Sequence, residues 1–188
     1  MVTETIFSEY GIRNTSIKID SDNTYTKVGC VGSFEEAMEV IVISKKCEGV
    51  ISKKRTRGAG TGELTMSLHM RYDLYTKAFG MVDPNLKEGV YAYGKNSLHK
   101  EFSLVAQVED EDANIKYVAY PRCIMTNGIS GKVENGAEEV AEIEITVSVF
   151  ADDYGYCKYE APASGLDEVT KGKWMTEFSS DLAQKTTE

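Results

Sequence analysis

Residues 62–81, GELTMSLHMRYDLYTKAFGM, contain the change of period on which the fold turns. Leu64, Met66, Leu68 and Met70 point one way, and Thr65, Ser67, His69 and Arg71 point the other. A period of two marks a strand with one buried face. The second half takes a helical period. Tyr72, Tyr75 and Phe79, with Leu74 and Ala78 beside them, make an apolar stripe, and Gly80 is placed to stop it. A strand running straight into a short amphipathic helix sets a helix against one face of a sheet.

The chain after this stretch continues in strands. Val82 to Glu88 reads as a turn around Asp83-Pro84-Asn85, and Val90 to Tyr93 as a short strand. Leu98 to Glu109 is a long strand with Phe102, Leu104, Ala106 and Val108 on one face. The acidic run Glu109 to Asp112 turns the chain, and Ile115 to Met125 returns it, the clearest hairpin in the sequence. Asn127 to Gly136 is a glycine-punctuated loop. Val140 to Ala151 alternates most strictly: Ile143, Ile145, Val147 and Val149 face in, and Glu142, Glu144, Thr146 and Ser148 face out. Asp152 to Gly155 turns into a last strand, Tyr156 to Tyr159. Upstream, Ser16 to Asp20, Tyr25 to Val31 and Ala37 to Ser44 are strand candidates, the last carrying the β-branched run Val40 to Ile43.

Lys45 to Gly62 is the largest shift in composition. It holds Lys45, Lys46, Lys53, Lys54, Arg55 and Arg57, six of the 21 positive residues, and ends in Gly58-Ala59-Gly60-Thr61-Gly62. It reads as a long, mobile, basic excursion, with a hairpin around Val50 and Ile51 as one form it can take. Loops this long inside a compact domain are functional or disordered. No aromatic side chains interleave its cations, so base stacking is disfavoured and contact with an acidic surface favoured. The most abundant acidic surface available is another copy of the chain.

The fold class is therefore mainly β: a β-sandwich or open barrel of antiparallel strands with one short flanking α-helix. A domain at 16–160 carries the long basic loop at 45–62, an N-terminal arm at 1–15 and a C-terminal arm at 161–188. The C-terminal arm has one amphipathic patch, Trp174, Met175, Phe178 and Leu182, which folds back on its own domain or docks on a neighbour.

Several chemistries are disfavoured. At 188 residues and a net charge of −9 the chain is not a general nucleic-acid binder, because phosphate contacts need a positive surface. No apolar run approaches the roughly 18 residues of a membrane span. The N-terminus lacks the basic start and apolar core of a signal peptide, so a protein made and folded in cytoplasm is expected. Cys30, Cys47, Cys123 and Cys157 form no CxxC pair. GAGTG precedes a strand and not a helix, unlike a phosphate loop. His69 and His99 each sit on the polar face of a strand with no partner group in view. The acidic turn at 109–112 lacks the spaced ligands of a calcium loop. Glu142 and Glu144 lie close enough on one strand face to perturb each other, the one arrangement resembling an acidic catalytic pair. No catalytic, cofactor-binding or metal-binding residue is assigned.

In its layout the chain resembles the major tail tube proteins of long-tailed, non-contractile bacteriophages. The resemblance covers roughly residues 8–182 and rests on order and texture. The arm opens with Tyr10-Gly11-Ile12-Arg13-Asn14, and the basic loop runs into the strand–helix element at 62–81. The hairpin EFSLVAQVEDEDANIKYVAYPRC, the strand EIEITVSVFADD and a C-terminal extension with KWMTEF follow. The resemblance implies a structural virion protein with no enzyme activity or cofactor. Six copies would form a ring with a shared barrel, and rings would stack around a tape-measure protein into a tube, meeting tail-end proteins at its ends. Viral DNA would pass through without tight binding. Assembly would occur in the bacterial host cytoplasm, with no membrane involved.

On that reading Lys53, Lys54, Arg55 and Arg57 form an inter-subunit loop, and Trp174 and Phe178 dock the C-terminal arm. Gln107, Glu109, Glu142 and Glu144 are candidates for an acidic lumen, where like charge keeps a duplex free to move. Two other readings are a related ring-forming tube of a secretion system and a monomeric β-barrel binding module with an apolar cavity.

Overall fold

The rest of the sheet forms around one long strand. In the computed structural model, which describes residues 6–185, residues 50–70 form the unbroken strand β4 (Val50–Met70). Its lower half alternates as expected, with Leu64, Met66 and Leu68 buried. β4 pairs on one side with β3 (Gly29–Cys47) and on the other with β7 (Ile143–Phe150), both antiparallel. The remaining strands are β1 (Glu9–Ile19), β2 (Thr26–Lys27), β5 (Phe102–Asp110), β6 (Ile115–Met125) and β8 (Tyr159–Pro162). They form one sheet in the order β2-β1-β5-β6-β7-β4-β3, with β8 also on β6.

Two places roll this sheet up. At the first, β2 runs into β3 through Val28, so one piece of chain forms both ends of the sheet. Val28 donates to the Thr15 carbonyl at 3.0 Å, and its own carbonyl accepts from Arg71 N–H at 2.7 Å. Gly29 then turns away at φ 137°, where an added Cβ would stand 1.9 Å from the His69 carbonyl oxygen. Only glycine fits such a position. At the second, β6 changes partner. Lys116 to Ala119 pair with β8, and Arg122 to Met125 pair with β7. Pro121 lies between, and the pairing with β5 slips there, from Leu104↔Tyr120 to Phe102↔Cys123. Proline has no N–H for the ladder, so this is where the strand can bend and hand over from one side of the barrel to the other.

The inside of the roll is the main core, built from Leu64, Leu68, Leu104, Val118, Tyr120 and Val147. Helix α1 (Tyr72–Ala78) joins it through Leu74 and Ala78, with Phe79 just beyond. The helix ends as Gly80 predicts. Gly80 has φ 63°, its N–H donates to Lys77, and Met81 N–H reaches back to Thr76, which together satisfy the last carbonyls.

The outside of β5 and β6 carries a second, smaller core. Helix α2 (Glu168–Trp174), capped by the Asp167 carboxylate on Val169 and Thr170 N–H, buries Trp174 there. Trp174 and Phe178 pack with Val105, Tyr117 and Ala119. The aromatic patch therefore folds back on its own domain, and the C-terminal segment is a docked layer.

Three other expectations change. From Glu9 onward the expected N-terminal arm is strand β1, paired to β5 with two register shifts; residues 1–5, and 186–188 of the C-terminal arm, lie outside the described residues. Residues 45–62 belong to β3, its turn and β4: the excursion takes its hairpin form and is not a mobile loop. Val90 to Tyr93 is not a strand; residues 79–101 pass over α1, with Tyr93 and His99 edge-on to Phe79.

Two outcomes follow from this packing. Leu68→Ala opens a cavity in the inner core and should cost about 2–5 kcal/mol, read as a lowered Tm, while Val42→Thr on β3 beyond the core leaves Tm nearly unchanged. The second concerns β8. Glu160 bonds Lys158 at 2.9 Å, and the ammonium holds its carboxyl below the ordinary value. A carboxyl depressed in the folded state stabilises above its unfolded pKa, and that contribution is lost as pH falls through the folded value. Acidification below about pH 4 should therefore loosen β8 and the segment after it, shifting the emission of the single tryptophan to the red, with a smaller acid-induced shift in Glu160→Gln.

Candidate functional site: a projecting basic hairpin and a polar sheet face

The last pair between β4 and β7 is Thr61↔Phe150. Beyond it β4 keeps only β3, and the two continue as a lone ribbon from Val40↔Gly58 to Cys47↔Val50. Glu48 and Gly49 close it with φ 51° and 82°. Positive φ at both central residues makes a two-residue turn whose twist matches the strands. The nine residues 39–47 at strand rise carry the ribbon ~30 Å from the barrel. The chain can turn at 48–49 because glycine and, less comfortably, glutamate accept the left-handed region.

Neither face of the ribbon meets a core. One face carries Ile41, Ile43 and Lys45 opposite Arg57, Arg55 and Lys53; the other carries Val40, Val42 and Ser44 opposite Gly58, Thr56 and Lys54. The apolar members stay in water: Val42 is 49% exposed, Ile43 55% and Val50 70%. Among the described residues none of Lys45, Lys46, Lys53, Lys54, Arg55 and Arg57 forms an ion pair. Lys45 and Lys53 stand directly opposite each other, a like-charge pair that weakens the ladder. An isolated two-stranded ribbon is marginal in water. This one is held at its base, where Thr61 donates to Glu39 at 2.6 Å and Glu36 accepts from the Tyr120 hydroxyl and pairs with Lys158. Met38 packs so closely over Gly62 that a Cβ there would meet its sulfur at 2.6 Å. The four cations expected in an inter-subunit loop thus project on an arm anchored at its base, with Lys54 on the face opposite the other three.

The four lumen candidates separate into two pairs. Glu144 is on the outer face of β7 opposite Ser67, beside Thr146↔Thr65 and Ser148↔Glu63. Glu142 precedes β7 and lays its carboxylate over Gly32, where a Cβ would lie 2.2 Å from its oxygen. Gln107 and Glu109 belong to the outer face of β5. Gln107 accepts from Asn14 at 2.6 Å, and Glu109 pairs with Arg13 at 2.6 Å, its side chain 16% exposed. That face also carries Val105, which the α2 layer covers. The four thus lie on two patches of the outer surface, and the polar face of β3, β4 and β7 that bears Glu144 also carries Glu35 and Glu63.

Sequence reading passed over a further feature. Residues 132–142 stand away from this polar face at its α1 end and leave a cleft of about 1030 Å³. Ser33, Ser67 and His69 form its floor, and Val133, Glu139, Val140 and Glu142 its wall. The signal was the run VENGAEEVAEIE at 133–144, with five glutamates and no cation. The histidines do not meet. His69 is exposed on the polar face, and His99 lies between the Met125 carbonyl at 2.8 Å and the Tyr93 hydroxyl at 3.0 Å. Among the described residues no group of three or more His, Cys, Asp or Glu is arranged to hold a metal ion.

No protein-family model and no curated protein matches the chain. Among solved structures, it is similar to a chain of the anti-feeding prophage (AFP) baseplate, 6-fold symmetrised, at 9% identity and TM-score 0.46, covering 86% of this chain and 98% of the other. It is also similar to a chain of the anti-feeding prophage cap (AFP tube terminating cap), at 9% identity and TM-score 0.40, covering 87% and 99%. Both likenesses are distant, and neither bears on a residue of the site.

Proposed function

We propose that this chain is the structural subunit of a phage-type tail tube. Copies close into hexameric rings, rings stack in one direction, and the hairpin of each copy joins its ring to the next. The tape-measure protein occupies the channel during assembly, tail-end proteins close it, and viral DNA later passes through. The reading assigns the protein to the virion tail and gives it no catalytic step and no cofactor.

The observation that carries this reading is the ribbon at 39–60. It exposes Val40, Ile41, Val42 and Ile43 together with cations that form no ion pair among the described residues, on an arm whose side chains belong to neither core. Exposed apolar surface of this kind marks an interaction site. A monomeric binding module has no use for such an arm. The polar face with Glu35, Glu63 and Glu144 suits a channel wall, since like charge keeps a duplex from binding its surroundings.

The test replaces residues 41–57 by an Asn-Gly turn between Val40 and Gly58, which already face each other. The shortened monomer should keep its circular dichroism and a Tm within about 5 °C of the full chain, since no core residue is removed. Concentrated full-length protein should form tubes in negative-stain micrographs, and the shortened chain should not. Compact particles alone from the full chain at every concentration and seed tried, or tubes of normal length from the shortened one, would overturn the reading.

A further inference from the structure

We propose that the cleft between the polar sheet face and residues 132–142 is the socket for the basic hairpin of the next copy. The assignment rests on the stacked-tube reading for the direction in which copies approach one another. Three observations support it.

The first is position. β7 begins at Ile143, opposite Leu68, and ends at Phe150, opposite Thr61. The hairpin leaves from the Thr61 end, and the cleft lies at the Leu68 end, over Ser67 and His69. From Arg55 to His69 along β4 is ~45 Å at strand rise, so the cations of one copy cannot reach its own cleft. Copies stacked in one direction bring one copy's hairpin end to its neighbour's cleft end. A contact between two different surfaces is the kind that propagates.

The second is charge. The hairpin carries six cations with no ion pair among the described residues. The cleft is lined by Glu134, Glu139 and Glu142 and by one lysine, Lys132, which pairs with Glu134 at 3.0 Å. Among the described residues Glu139 and Glu142 form no ion pair. Opposite potentials across an interface set both encounter rate and register.

The third is texture. The hairpin face that bears Lys53, Arg55 and Arg57 also bears Ile41 and Ile43. The cleft wall interleaves its acids with Val133, Ala137, Val140 and Ala141, and Val133 and Val140 are 95% and 82% exposed. Each surface leaves apolar side chains in water that the other can cover, in the same alternation with charge.

Charge reversal tests the pairing. Three variants of the full chain are compared with the natural one: Arg55→Glu with Arg57→Glu, Glu139→Lys with Glu142→Lys, and all four changes together. Sedimentation velocity measures self-association of any shape, and negative-stain microscopy reports whether the product is a tube. Either single-sided reversal should raise the concentration needed for association by about 10-fold or more, and the fourfold variant should return it to within about 3-fold of the natural chain. Recovery in the fourfold variant also shows that the single-sided losses are not misfolding. Natural association by the Glu139→Lys, Glu142→Lys chain, or no recovery in the fourfold chain, overturns the socket while leaving tubes intact. Association that follows the charge pattern but gives no tube upholds the socket and overturns the tube reading. A natural chain that never associates overturns both.

Discussion

The pairing of β3 with β4 goes on after every other strand has ended, and the rest of the molecule depends on that continuation. Within the barrel the two strands form part of the rolled sheet with β7 on one flank and the inner core beneath. Past Thr61 the same ladder leaves the core and runs alone. Backbone hydrogen bonds carry it outward, since neither face buries its side chains. The roll supplies the anchor: Glu39, Glu36 and Met38 fix the base from three sides, and Gly62 lets Met38 lie flat across the strand. A ribbon that could not persist by itself is held by a domain whose inner face is conventionally packed.

The barrel half of the fold was legible because its strands have one wet face and one dry one. Leu64, Met66 and Leu68, or Ile145, Val147 and Val149, can only alternate if a core lies on one side. The helix was legible for the same reason, and its glycine stop was visible by position. The ribbon was legible only in part: the β-branched run Val40 to Ile43 marked one strand and a hairpin around Val50 and Ile51 was one open form, but with water on both faces its basic half has no period to read. Its glycines look like breakers, yet Gly62 is there because Met38 crosses it, and Gly60 because its φ is 81°. The first half of β1 was hidden differently: Ser16 to Ile19 read as strand, but the register shifts at Glu9/Gly11 and Arg13/Ser16 break the alternation that would have announced the residues before it.

At the site, the basic cluster could be found by composition and its partners could not. Reading β5 as one apolar and one polar face placed Gln107 and Glu109 in a channel. Val105 on that same face, and Tyr117 and Ala119 on β6, were the sign that part of it is covered. The cover comes from Trp174 and Phe178, more than fifty residues away in sequence, which no local pattern links to them. The cleft was missed because a glycine-rich stretch reads as a plain loop, and only the fold shows which end of the barrel it stands on.

The unbroken course of β4 from turn to helix has a mechanical meaning. A pull on the hairpin tip along its axis travels down one strand into the eight consecutive pairs that join β4 to β7. Those hydrogen bonds lie across the line of pull, so they are strained together in shear and not peeled open one by one. Below them the strand passes directly into α1, whose Leu74 and Ala78 are set in the core. The ribbon is thereby rooted through the lower half of β4, as a stake is rooted, and a pull on its tip is shared among the pairs and core contacts there instead of falling on one of them.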